Sequence, residues 1–246
     1  MQLLTKIVNI ISDIISIQHE VNKINEQIEA FIFDMDGVLT DTVELHYQSF
    51  KKLADEEEVP FNRELNEKLR GLSREDSLAL LFKDRVLTQP ELSRLMETKN
   101  KYFLELASSM TPKDLLPGVR NLLERLTKKG FKIALASSSK NTKLIIERLK
   151  IGAYFDSISD GYSVKRAKPA PDLFLHAAAS IGIKPAACVV VEDAEAGIEA
   201  AKAARMTVIG IGPERRVGNA DFIFESVSAI DLDKLLTEIN SKRPVE

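Results

Sequence analysis

Cysteine is almost missing from this chain: Cys188 is the only one in 246 residues. No internal disulfide can therefore form, which favours a reducing compartment, and its place inside the apolar run "ACVVVED" reads as a core thiol. Charge of one sign is also lacking. Thirty-four Lys and Arg against 37 Asp and Glu leave −3, with no strong field to attract nucleic acid or an anionic membrane. Any anionic ligand must then be held by a local site. No uncharged apolar run approaches the roughly 18 residues a membrane span needs. The N-terminus lacks a basic cluster leading to an apolar block with a small-residue cleavage site, so no secretory signal is expected. No repeat or low-complexity tract occurs. The expectation is a soluble, cytoplasmic monomer without nucleic-acid or membrane partners. Hydrophobic residues at 44% are enough to bury a core in one large domain, or in a core with an insertion.

Residues 1–29 stand apart. Leu4, Ile7, Ile11, Ile14, Val21 and Ile28 recur at helical spacing, with Lys6, Asp13 and Glu20 between them. They read as an amphipathic helical extension, either packing on its own domain or serving as a partner-binding element, a short coiled coil or a non-native start. From residue 30 apolar strands alternate with helices. "AFIFDMD", "FKIALASSS", "YFDSISD", "ACVVVED", "TVIGIG" and "ADFIFES" read as strands. "KNTKLIIERLK", "PDLFLHAAASIGI" and "AEAGIEAAKAARM" read as helices between them. That alternation argues for a doubly wound parallel α/β sheet covered on both faces. Residues 43–108 show only helical periodicity, and so read as a helical cap inserted after the first strand. The core is then 30–42 with 109–246.

In such sheets ligands sit beyond the carboxyl ends of the strands. Here those ends carry Asp34 and Asp36, Ser137, and Glu192 with Asp193. Carboxylates gathered together raise one another's pKa unless a cation offsets them. Hard oxygen donors without nearby histidine or cysteine favour Mg²⁺. "LASSSKN" offers hydroxyls and backbone N–H groups at a helix start, a possible phosphate site. Lys168, ahead of a proline in "AKPAPD", could aim an ammonium at the same edge. Taken singly, each has a plainer reading as a helix cap or a solvated charge.

Together these motifs resemble the haloacid dehalogenase superfamily: Asp-x-Asp-Gly-Val-x-Thr-Asp after the first strand, then the serine, the Lys-Pro and the paired acids. The resemblance implies a Rossmann-like core, with Asp34 the nucleophile that forms an aspartyl-phosphate and Asp36 the general acid and base. Ser137 and Lys168 would hold the transferring phosphoryl group. Mg²⁺ would lie on Asp34, the Asp36 carbonyl, Glu192 and Asp193. The insert is similar to that of the β-phosphoglucomutase family, above all in "LRGLSREDSL", and "ALASSSKN" and "AKPAPDLF" extend the likeness. This implies interconversion of β-glucose 1-phosphate and glucose 6-phosphate through β-glucose 1,6-bisphosphate, which also acts as activator. Arg74 would grip the non-reacting phosphate, and Gly71 and Leu72 would line the sugar site. Ser139, Lys140 and Asn141 would contact substrate from the core. Thr42 and His46 would couple cap closure to Asp36, and Lys99 is a looser match to a cap lysine. One departure is "VKRAKPAPD", where Lys165 and Arg166 read as solvated loop charges. The rival readings are a sugar-phosphate phosphatase on the same core and a non-catalytic phosphosugar-binding module.

Overall fold

A computed structural model describes residues 27–242. The amphipathic extension lies outside the described residues, apart from its last three positions. Ile28 and Glu29 belong to the core rather than to an extension. Ile28 is buried in the main apolar cluster, and the Glu29 N–H donates to the Ala187 carbonyl at 2.9 Å.

Six parallel strands form one sheet: β1 (Ala30–Phe33), β2 (Lys132–Ala136), β3 (Ser157–Ser159), β4 (Cys188–Glu192), β5 (Thr207–Ile211) and β6 (Phe222–Phe224). Their spatial order is β3-β2-β1-β4-β5-β6. β1 pairs with β2 and β4 on its two sides, Phe33 lying opposite Leu135 and Val191. A central strand covered on both faces has no use for polar alternation, and all four residues of β1 are buried. Successive side chains still point to opposite faces. Phe31, Phe33, Ile133, Leu135, Val189 and Val191 pack on α5 (Val119–Lys128), α6 (Thr142–Leu149) and α10 (Leu232–Lys242). Ile32, Ala134, Ala136 and Val190 pack on α7 (Asp172–Ser180) and α8 (Glu195–Ala203). α5 and α10 were not read from the sequence, although Leu122, Leu123 and Leu126, and Leu232, Leu235 and Ile239, give them buried stripes.

Between β1 and α5 the chain forms α1 (Val43–Glu56), α2 (Arg63–Leu69), α3 (Arg74–Leu81) and α4 (Gln89–Ala107). These helices bury an apolar cluster of their own, including Phe50, Leu53, Phe61, Leu78, Phe82 and Leu95. Side-chain caps start three of them: Asn62 accepts from Leu65 N–H, Ser73 from Asp76 N–H, and Thr88 with Glu91 makes a capping box. The last helix of note, α9 (Glu214–Val217), follows β5. Among the described residues, no helix is long and apolar enough to cross a membrane.

β1 stops at Phe33, three residues short of the strand expected from sequence. The Asp34 N–H still pairs with the Val191 carbonyl at 2.9 Å. The Gly37 N–H then donates to Thr40 O at 2.8 Å and turns the chain. Gly37 has φ +80°, and a Cβ there would lie 2.1 Å from Asp193 Oδ2. Only glycine lets this turn approach the carboxylate at the end of the neighbouring strand.

Candidate active site

The strand order reverses at β1, whose carboxyl end lies beside that of β4, the place where open α/β sheets bind ligands. Asp34 leaves β1, and Glu192 with Asp193 leaves β4. One oxygen from each of these three buried carboxyls falls within 4.8 Å of the others. Lys168, also fully buried, reaches in from the loop before α7. Its ammonium donates to Asp34 Oδ1 at 2.6 Å, to Glu192 Oε2 at 2.8 Å and to the Ala136 carbonyl at 3.3 Å. Burial alone would lower the Lys168 pKa, but Asp34 and Glu192 outweigh it and raise it. Glu192 is pushed up to about 8, by burial first and then by Asp34, even though Lys168 opposes both. Asp193 rises to about 6 from burial, with Arg70 holding it down. Glu192 Oε1 also accepts the N–H groups of Asp193 (3.2 Å) and Ala194 (3.1 Å).

This donor set fits a hard divalent cation. It is all oxygen, buried, and carries more negative charge than one lysine offsets, so burial first and mutual repulsion second raise the Glu192 and Asp193 pKa values. The Asp36 side chain stays out of the cluster. It accepts a hydrogen bond from the Thr42 hydroxyl, and its pKa rises to about 7, from burial first and then from Asp34. A carboxyl titrating near neutrality can both give and take a proton.

Cap residues complete the surroundings. Lys99 is buried with no carboxylate partner among the described residues, and its Nζ lies 2.7 Å from His46 Nδ1 and over the rings of Phe50 and Phe103. Burial, then Lys99 and Arg74, hold the His46 pKa well below its ordinary value. With Lys99 donating to Nδ1 of a neutral ring the ring proton sits on Nε2, which lies 3.9 Å from Asp36 Oδ1 and has no hydrogen-bond partner among the described residues. Arg74, at the start of α3, is only partly exposed. It donates to Asn100 Oδ1 at 2.7 Å and to the Met96 carbonyl at 3.4 Å, and no described carboxylate lies within 4.0 Å of it. Burial lowers its pKa, so the guanidinium is a cation short of an anion.

A cleft of about 770 Å³ lies between cap and core. Asp34, Asp36, His46, Gly71, Leu72, Arg74, Lys99, Ser139, Lys140, Lys168 and Asp193 line it, together with Lys165 and Arg166 of the exposed loop. Four of the residues singled out in sequence stand behind this lining. Ser137 is fully buried, its hydroxyl accepting the Ser139 N–H at 3.1 Å. Thr42 and Glu192 are buried beneath Asp36 and Lys168 respectively. Asn141 donates to Asn100 Oδ1 at 2.8 Å, so one cap carbonyl joins Arg74 to the core. Ser138 ties the cap likewise, donating to the Gly71 carbonyl at 3.1 Å.

Sequence reasoning missed Asn100, Ser138, Arg70 and Arg216. Arg70 pairs with Asp193 from the cap, and Arg216 donates to the Asp193 carbonyl at 2.7 Å from α9. Arg70 stands next to the Gly71 already picked out, a weak signal. Arg216 has none, since 23 residues separate it from Asp193.

Residues 28–205 match the family model described as haloacid dehalogenase-like hydrolase. A β-phosphoglucomutase of Bacillus subtilis is 43% identical over 214 residues, 85% of this chain and 95% of that protein. A phosphorylated carbohydrates phosphatase of Thermotoga maritima is 34% identical over 72% of this chain and 81% of its own. The crystal structure of a β-phosphoglucomutase from Clostridium difficile superposes with a TM-score of 0.84 at 35% identity, covering 87% of this chain and 98% of the other.

Proposed function

The chain belongs to the haloacid dehalogenase-like hydrolase family and groups there with the β-phosphoglucomutases, and from that premise we propose that it interconverts β-glucose 1-phosphate and glucose 6-phosphate. The reaction runs through β-glucose 1,6-bisphosphate, which turns over inside the cleft. The observation that carries this reading is Arg74, a cleft-lining guanidinium with no carboxylate partner among the described residues, set on the cap while Asp34 and Lys168 sit on the core. A mutase needs this second anchor because one phosphate of the bisphosphate is always not reacting. Arg suits the task because its planar fork matches phosphate with two hydrogen bonds.

In the proposed mechanism Asp34, with Oδ1 held by Lys168, presents its other oxygen to phosphorus. The new P–O bond forms an aspartyl-phosphate as the bond to the sugar oxygen breaks. Asp36 gives that oxygen its proton, and later takes a proton from the hydroxyl of the reoriented sugar. Lys168 balances charge on the transferring group, and Ser137 supports it through the Ser139 backbone. Thr42 and His46 hold Asp36 where the cap meets the core, and Lys99 fixes the His46 tautomer. Ser139, Lys140 and Asn141 face the substrate from the core, and Gly71 and Leu72 from the cap. Asp34, Glu192, Asp193 and the Asp36 carbonyl would hold Mg²⁺, which when bound offsets carboxylate charge and draws charge from the phosphoryl oxygens. A cytoplasmic monomer acting on a small phosphosugar is part of the same reading, the single buried thiol of Cys188 fitting a reducing compartment.

The test is incubation with β-glucose 1-phosphate, Mg²⁺ and a trace of the bisphosphate. Formation of glucose 6-phosphate supports the mutase. Free phosphate as the main product overturns it in favour of a phosphatase, and no turnover points to a binding module.

A further inference from the structure

Two cap residues and two core residues close a ring of alternating charge beside the carboxylate cluster. On the cap, Arg70 pairs with Glu67 at 3.2 Å. On the core, Arg216 donates through Nε to the Asp193 carbonyl at 2.7 Å and keeps Nη2 3.9 Å from its carboxylate. Across the gap Arg70 pairs with the Asp193 carboxylate, and Arg216 Nη1 reaches Glu67 at 3.3 Å. Each half is neutral by itself. Parting cap from core would leave Glu67 with Arg70 and Asp193 with Arg216, so opening strands no buried charge. A contact of this kind can be made and broken at each turnover.

The ring also reaches further than the cap. Glu67 is half exposed and lies outside the carboxylate cluster, yet it holds one arm of each arginine that faces Asp193. While it does so, neither guanidinium turns its whole charge on Asp193. We propose that this ring is a clasp through which cap closure sets how much negative charge Asp193 offers to a cation, with Arg216 the positioning residue on the core and Glu67 its counterpart on the cap. This rests on the reading of Asp193 as a cation ligand. Coupling between two sites is reciprocal, so closure and cation affinity must move together.

The experiment is calorimetric titration of the full-length chain with MgCl₂, without substrate. Glu67→Gln frees both arginines to face Asp193 and is expected to weaken Mg²⁺ binding about fivefold, an effect that shrinks in high salt. In an Arg216→Ala background the same substitution should change affinity only about twofold, because Arg70 alone is left to relay it. Arg216→Lys, which keeps the charge but cannot fork between Glu67 and the Asp193 carbonyl, gives the same cycle in a chain of unchanged charge. Unchanged affinity in Glu67→Gln, or additive effects across the cycle, overturns the clasp. Absence of Mg²⁺ binding in the wild type overturns the assignment of Asp193 and the clasp with it. Neither result bears on the sugar product, which the incubation above reads separately.

Discussion

Replacing Arg74 with alanine separates phosphoryl transfer between sugars from simple hydrolysis. The guanidinium is held by Asn100 Oδ1 and the Met96 carbonyl and lacks a carboxylate partner among the described residues, so its remaining N–H groups are available to an anion in the cleft. A charge-assisted fork is roughly twice as strong as a neutral hydrogen bond. Truncating one partner of such a pair costs about 2–5 kcal/mol, or roughly 30-fold to several thousand-fold in kcat/KM. Mutase turnover, followed as glucose 6-phosphate, should fall by that factor. Hydrolysis of acetyl phosphate has no second phosphate to anchor and should fall far less. Arg74→Lys should recover part of the mutase loss, since a point charge replaces the fork. The decisive quantity is the ratio of the two activities. Equal losses in both would refute the anchor role, and with it the main physical reason for a mutase over a phosphatase.

Asp34→Asn should abolish phosphoryl transfer by several orders of magnitude, because an amide neither attacks phosphorus nor balances Lys168; phosphorylation of the variant at the wild-type rate would exclude Asp34 as nucleophile. Gly197→Ala should destabilise the fold by about 1–3 kcal/mol in a denaturant titration, since the added Cβ would lie 2.1 Å from the Glu192 carboxyl carbon; an unchanged midpoint would mean that Glu192 moves freely. Thermal stability without Mg²⁺ should fall as pH rises from about 6.5 to 8, above the range in which the lowered His46 pKa acts in the opposite sense and where three raised carboxyls outnumber the lowered Lys99. Asp193, Asp36 and Glu192 have pKa values raised to about 6, 7 and 8, so the folded state holds protons that the unfolded chain has released. The stability tied to those protons is complete below about pH 4 and is lost as pH passes through the folded values. Mg²⁺ should flatten the profile, and a melting temperature that climbs over this range would contradict the raised pKa values.

Local pattern determined a good deal of this protein. Short, β-branched and aromatic runs such as "AFIF" and "CVVVE" favour buried strands, and strands alternating with helices favour a parallel sheet wound on both faces. Asp34, Ser137, Glu192 and Asp193 were legible because strand ends in such a sheet share an edge, so their convergence follows from topology without any distance, while Lys168, in a loop, was legible through its Lys-Pro motif. Arg74 was legible through its neighbours in "LRGLSREDSL". Tertiary structure alone decided the rest. Strand order puts β4, 158 residues after β1 by the Ala30–Cys188 pairing, against it, and no local signal specifies that partner. The need for glycine at 37 and 197 comes from carboxyl groups of residues 193 and 192 pressing on those backbones. Arg216 and Glu67 meet across 149 residues because the cap folds back over the edge of the sheet. Periodicity and propensity act over a few turns of chain, whereas these contacts depend on how two separately packed clusters, cap and core, are set against each other.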